Sequence, residues 1–401
     1  MFDVHRKGSE MKSNTLNLHD LAVLKEISPM LRLRLGFSGR ASLKSRAGRN
    51  LSTLVVMPCA VGDSLSYLPA LRAFVDRNLA PVDVVVSPEF RSLAERVKGV
   101  RRVYIASSSY NRMSEQLNRL NQPLSSDYDQ IVILRLSQQA FDLIKHIRGK
   151  RVVSSDATLL RYVLHVAKSS LLNRSVVQSR EVMFEVFGLE DVAMSNNVYE
   201  LFDDTDEGPY SYVSLPVINC EVKKVLVHTG SGWNVKRWSD ENWVELLGRV
   251  NEQGDYRFFF VGKGEEERSS FERIQQRLDF YVHSLIDSVN LWELFQIMKM
   301  SDFFIGIDSG PRNLAHYANL RSITLLNPAA VKNFTPLDNR DIVVEKPNRI
   351  RTNIVNVSKG ASLNRISVDE VYEAFGRLTA SLGQRQKVAK LNCETSLSVA
   401  S

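Results

Sequence analysis

Cysteine is scarce in this chain: Cys59, Cys220 and Cys393 stand far apart, with no C-x-x-C and no Cys/His pair at zinc-ligand spacing. An odd, scattered set of three excludes a disulfide scaffold and a structural zinc site and predicts reduced thiols. Long apolar runs are also missing. Runs such as "RFFFVG" and "DFFIGI" are strand-sized, whereas a bilayer crossing takes ~20 apolar residues. The opening "MFDVHRKGSEMKSNTLNLHD" has neither the apolar core nor the small-residue cleavage site of a signal peptide, so the sequence predicts a cytoplasmic protein. Short repeats and low-complexity tracts are absent. An apolar fraction of 44% and a charged fraction of 24% belong to a folded globular protein.

Several site signatures are present only in part. "GKG" at 262–264 lacks the spacing and the following Ser/Thr of a P-loop, and "GSGW" at 230–233 lacks the full dinucleotide fingerprint. Asp204-Thr205-Asp206 imitates a D-x-D metal site but lies among other acids in "DDTDEGP", which reads as a solvated charge run. "GDSL", Gly62 to Leu65, spells the signature of one class of serine esterases. That chemistry needs a histidine to take the proton from Ser64, usually as D-x-x-H. None of the seven histidines has Asp three residues before it, so the esterase is the weakest of the readings.

What the chain does have is alternation. "TLVVM", "VDVVVS", "RRVYI" and "DQIVILRL" read as buried strands, interleaved with helical spacing over 64–78, over "EFRSLAERV" and over 138–147. The acidic, Gly- and Pro-containing stretch 203–209 interrupts the pattern as a linker. Alternation then resumes with strands in "KVLVH", "YRFFFVG", "DFFIGI" and "SITLL". Helices are predicted over "SDENWVELLGRV" with Ser239 as N-cap, "EEERSSFERIQQRL", "NLWELFQIMKM" and "PRNLAHYA". Strand-helix order of this kind implies parallel sheets. The 401 residues suggest two domains, each a doubly wound α/β sheet, with ligands expected in a cleft at the carboxyl ends of the strands. The expected division is a basic extension 1–50, a first Rossmann-like domain 51–205, a second 206–364, a C-terminal helix 365–385 and a tail 386–401.

Charge is unevenly placed. Arg32, Arg34, Arg40, Lys44, Arg46 and Arg49 fall within residues 31–50 without an acid, nearly matching the net charge of +7. Such a segment is either a solvated tail or a contact for an anionic surface such as a membrane.

Four segments then act together: "LVVMPCAVGDSLSYLPALRAF", "VLVHTGSGWNVKRWSDENWVELLGRV", "FFFVGKGEEE" and "MSDFFIGIDSGPRNLAHYANLRSITLLNP". In this order and spacing they resemble the heptosyltransferase family of glycosyltransferases, family 9, from about residue 52 to 380. The resemblance implies a GT-B fold of two Rossmann-like domains and a metal-independent, inverting transfer. The implied donor is a nucleotide sugar such as ADP-heptose, a co-substrate rather than a cofactor. The implied acceptor is a glycan or glycolipid such as the lipopolysaccharide core; no nucleic acid is implied.

Sugar transfer needs a base for the acceptor hydroxyl and a cationic, amide-rich site for the departing diphosphate. By resemblance Asp63 is the base, although an acid there also suits a helix terminus. Thr229, Ser231 and Lys236 are matched to the diphosphate, as are the amides of Ser309 and Gly310. Asp308 matches the contact to the donor sugar. Glu265 matches the acid on the ribose, or is simply an N-terminal helix acid. The family's usual histidine after "DSGP-x" is Asn313 here, preceded by Arg312. Asn313 can still donate a hydrogen bond but cannot carry charge. That change leaves open a different sugar donor or a binding module without catalysis.

Overall fold

The computed structural model describes residues 51–57, 61–78, 80–106, 127–134, 148–149, 152–154, 187, 189, 201–202, 222–230, 237–326, 340–346 and 362–380. The basic segment 31–50, the expected helix 138–147, the linker 203–209, the tail 386–401 and all three cysteines lie outside them. The chain forms two compact units, Met1–Ser211 and Tyr212–Ser401.

Unit 1 is built on β1 (Thr53–Val56), β2 (Val82–Val86), β3 (Val100–Ile105), β5 (Gln130–Ile133) and β7 (Val152–Ser154), with β4 (Asp127–Tyr128) and β6 (Arg148–Gly149) as a separate short pair. The main sheet is parallel and ordered β3-β2-β1-β5-β7. Every residue of β1, β2 and β5 is buried, as continuous apolar strands of a parallel sheet require. Helix α1 (Val61–Arg77) follows β1 and begins three residues before the apolar spacing does. Its first turn is polar, with Asp63 at the amino end where the helix dipole favours an acid, so hydrophobic periodicity alone misses the start. "EFRSLAERV" is mostly a turn: a 3₁₀ segment, Pro88–Phe90, runs into α2 (Arg91–Ala94).

A polar network closes the amino-terminal half of this sheet. Asp83 on β2 is fully buried; it accepts two bonds from Arg101, at 2.8 and 2.7 Å, and one from the Tyr128 hydroxyl at 2.8 Å. A buried carboxylate is tolerable only with such partners. Burial, together with Tyr104 and Asp83, pushes the Tyr128 phenol up, so it stays a donor.

Unit 2 contains β8 (Lys223–His228), β9 (Tyr256–Phe260), β10 (His283–Ser284), β11 (Phe303–Ile307), β12 (Arg321–Leu326) and β13 (Asp341–Glu345), ordered β10-β9-β8-β11-β12-β13 and all parallel. Counted within the unit, that order is 3-2-1-4-5-6, the dinucleotide-binding arrangement, whose topological switch point lies between β8 and β11. The helices are α3 (Asp240–Asn251), α4 (Glu265–Gln275), α5 (Leu291–Lys299), α6 (Gly310–Tyr317) and α7 (368–380). Ser239 caps α3 by accepting from Asn242 N at 3.2 Å, as expected from the sequence. Asn290 and Glu293 form a capping box on α5. The core joins Trp243 of α3, Phe258 and Phe303 of the sheet and Phe375 of α7, none more than 1% exposed. Each such side chain contributes roughly 1.5–3 kcal/mol by leaving water.

Among the described residues no helix is long and apolar enough to cross a membrane.

Candidate functional site

In open parallel sheets, loops at the carboxyl ends of the strands that flank the switch point form the ligand crevice. In unit 1 those strands are β1 and β5. The first turn of α1 follows β1 after a short connection and holds Asp63, half-buried. Tyr67, one turn on, donates to the carbonyl of Leu134 just past β5 at 3.0 Å, which fixes the helix start over the strand ends. Ser64, next to it, is fully buried. A hydroxyl closed off in this manner cannot meet an ester.

In unit 2 the flanking strands end at His228 and Ile307. Thr229 and Gly230 continue from β8, and Asp308 and Ser309 connect β11 to α6, so Thr229, Ser309 and Gly310 share one edge of the sheet. His228 links the two loops, its Nδ1 3.0 Å from Ser309 Oγ. Ser231 and Lys236 lie outside the described residues. Arg237, which follows them, pairs with Glu266 at 2.6 Å, and Trp238 is buried.

The three glutamates of "GKGEEE" take three directions. Glu265, the first residue of α4, is exposed and pairs with Arg268 at 2.6 Å, and that hydrogen bond holds its carboxyl below the usual range. Glu266 reaches Arg237. Glu267 turns inward to place Oε2 3.6 Å from His228 Nε2. It lies against two glycines: a Cβ on Gly230 or Gly262 would collide with its carboxylate. The sequence reading singled out Glu265 and missed both Glu267 and His228. The available signal was a histidine closing an otherwise apolar strand, and two glycines spaced to receive an acid.

On α6, Pro311 occupies the first turn and Asn313 is half-buried. The side chain of Arg312 is 1% exposed: Nη1 donates to Asn313 Oδ1 at 3.3 Å, Nε to Thr324 at 3.3 Å, and Nη2 makes an ion-pair contact with Asp341 at 3.4 Å without a hydrogen bond. Asp341 also meets His316 at 3.3 Å and accepts from Ser322. Burial pushes the Asp341 carboxyl up, but His316, Arg312 and Ser322 outweigh it, and the group ends below its usual range. Among the described residues no three His, Cys, Asp or Glu side chains gather as a metal site would require.

Residues 144–359 match the model of glycosyltransferase family 9 (heptosyltransferase), more than half of the chain; Asp63 precedes the matched stretch. Similar solved structures include the family 9 glycosyl transferase from Veillonella parvula, with 16% identity and a TM-score of 0.66 over 82% of this chain and 98% of that one. E. coli ADP-heptose lps heptosyltransferase II has 18% identity and a TM-score of 0.62, over 83% and 99%. E. coli heptosyltransferase WaaC, solved with ADP-2-deoxy-2-fluoro heptose, has 17% identity and a TM-score of 0.56, over 81% and 99%. No curated protein sequence matches. The neighbours share the α/β architecture of parallel sheets, the GT-B class, and with the family match they make the chain an enzyme: it belongs to glycosyltransferase family 9, the heptosyltransferase family.

Proposed function

We propose that this glycosyltransferase is an inverting, metal-independent enzyme that moves heptose from ADP-heptose to a bacterial surface-glycan acceptor such as the lipopolysaccharide core. The reading is supported above all by one edge of the unit 2 sheet: Thr229 and Asp308-Ser309-Gly310 follow the two strands flanking a 3-2-1-4-5-6 switch point, where nucleotides bind in such sheets. Two of the similar structures are described as acting with, or holding, ADP-heptose or its fluoro analogue.

In this reading the acceptor oxygen attacks the anomeric carbon as Asp63 takes its proton, and the bond to the diphosphate oxygen breaks on the opposite face. The diphosphate leaves with the bonding pair. Lys236, the hydroxyls of Thr229 and Ser231, and the amides of Ser309 and Gly310 stabilise that charge without a metal ion. Asp308 holds the donor sugar, Glu265 the ribose, and Asn313 donates a hydrogen bond through its NH₂. The basic residues 31–50 give peripheral contact with an anionic membrane carrying the acceptor, at the inner face of the cytoplasmic membrane.

Thermal-shift measurement against ADP, UDP and GDP and their sugars, with and without divalent metal, tests the donor. Binding to the folded state alone raises the melting temperature by mass action. ADP and ADP-heptose are expected to act in the presence of a chelator. A response only to another base, or only with Mg²⁺ or Mn²⁺, overturns the donor or the metal-independence respectively.

A further inference from the structure

We propose that His228, held by Glu267, is a positioning residue that keeps the Ser309 hydroxyl from capping α6, leaving the first amides of that helix to the donor diphosphate. The inference rests on the donor reading above and adds two residues to it.

Ser309 is the N-cap of α6 and has the extended backbone, φ −160° and ψ 174°, from which a serine normally accepts a bond from the first turn. Its side chain makes no such bond. Instead the hydroxyl donates its one hydrogen to the carbonyl of Ile307 at 3.0 Å. It therefore presents a lone pair to His228 Nδ1, 3.0 Å away, and Nδ1 must carry a hydrogen. The capping oxygen is thus occupied from the strand side.

Glu267, together with Ser309, calls for a ring that carries a hydrogen on each nitrogen. A bare Nε2 facing a carboxylate would set two acceptors against each other, so the 3.6 Å contact between Nε2 and Oε2 calls for a proton between them. Glu267 Oε2 is buried with no hydrogen-bond partner, so this imidazole is the group it has to meet. Among the described residues Glu267 is the one carboxylate within ion-pair distance of His228. Such a ring turns Nε2–H toward Glu267, at a distance longer than a hydrogen bond, and donates from Nδ1 to Ser309. The acid cannot retreat, because the Gly230 and Gly262 backbones close against it. A Cβ at Gly306, opposite His228 across β8 and β11, would crowd the Phe304 ring and the His228 Cβ, so glycine there keeps the His228 backbone in place. One glutamate thereby ties the loops after β8, β9 and β11 to a single hydrogen-bonding state.

Asparagine and glutamine separate the two ring nitrogens chemically. The amide of Asn reaches about where Nδ1 stands and can still donate to Ser309, whereas that of Gln reaches the Nε2 position and cannot. Isothermal titration of the full chain with ADP is the readout. His228→Gln is expected to weaken ADP binding at least about fivefold, the worth of an N-cap hydrogen bond that now competes with the phosphate, and His228→Asn clearly less. Adding Ser309→Ala to His228→Gln is expected to restore affinity, since the competing hydroxyl is gone. Glu267→Gln lets the ring carry its hydrogen on Nε2 alone, so it should weaken binding and be rescued by Ser309→Ala as well. That second variant serves if His228→Gln does not melt cooperatively.

A purely structural role for His228 predicts no rescue. Equal losses in the Asn and Gln variants, or a double variant weaker than His228→Gln, overturn the proposal while the donor reading stands. A wild-type protein that binds neither ADP nor another nucleoside diphosphate overturns both.

Discussion

The indole Nε1 of Trp238 donates to the backbone carbonyl of Ile366 at 3.0 Å, across 128 positions of sequence. Trp238 is 2% exposed, and its ring meets Trp243 edge-on at 5.1 Å. Next to it, Ser239 N donates to Asn364 Oδ1 at 2.8 Å. The chain directly after Lys236 is therefore fastened to the segment leading into α7, while Arg237 fastens it to α4 through Glu266. In the proposed reading, anchoring of this sort sets how closely Lys236 meets the diphosphate.

Trp238→Phe should expose the cost of that anchor. It removes the donor to a buried carbonyl and part of a core side chain, together about 2–4 kcal/mol. Urea denaturation should report the loss. ADP affinity should fall as well, because the loop end loses one of its three ties; an unchanged affinity would show that the tie serves stability alone.

Asp341 sets a pH dependence of the opposite end of α6. Its carboxyl is held below the usual range in the folded protein, against about 3.9 in the unfolded chain. The folded state therefore binds that proton less readily. Its stabilisation is fully present above about pH 4 and is lost as pH falls through the lower folded value. Asp341→Asn should flatten this acid limb and cost about 3–5 kcal/mol at neutral pH, since Arg312 is left buried without that carboxylate. Chemical denaturation at a series of pH values checks both, and an acid limb as steep in the variant as in the wild type would remove Asp341 from the account.

Much of this arrangement is legible in the residues themselves. Buried parallel strands announce themselves as unbroken apolar runs, and "TLVV", "VDVVV" and "FFIGI" are strands within a residue of the sequence reading. "DIVVE" was not singled out, because a five-residue edge strand buried at only part of its positions carries little pattern. The first turn of α1 lies outside the apolar spacing, with the acid Asp63 in it. At the site, the motif order pointed to Thr229, Asp308, Ser309 and Gly310, which do share one sheet edge. Glu267 could not be told from Glu265 by spacing alone: the choice depends on which residue faces the glycines of two other loops, a contact between segments 37 positions apart.

Residues 1–50 predict a salt-sensitive membrane contact. Six cations between 31 and 50 without an acid should each contribute about 1 kcal/mol near an anionic surface, fading within a Debye length of about 8 Å at physiological salt. Co-sedimentation with phosphatidylserine-containing vesicles should fall as salt rises and fall further when 1–50 are deleted. Equal binding by the shortened protein, with equal activity on a lipid-linked acceptor, would leave the segment without this role.

Asp63 and Ser64 are neighbours with different surroundings, and the two readings of this motif place the reaction on different residues. Asp63 is half-buried in the first turn of α1, whereas Ser64 is fully buried on the next position. If Asp63 takes the acceptor proton, Asp63→Asn should retain the fold and ADP binding and lower transfer roughly 10²- to 10⁴-fold, the worth of a positioned base. The loss should fall on kcat, because the amide keeps the shape of the carboxylate but cannot accept the proton. Ser64→Ala should leave transfer near the wild-type rate, since its hydroxyl is out of reach of any substrate. An esterase demands the reverse order, with Ser64→Ala abolishing hydrolysis of a small ester. Measuring ADP release from ADP-heptose and ester hydrolysis on both variants separates the two, and full transfer activity in Asp63→Asn would falsify the assignment of the base while leaving the family and the fold intact.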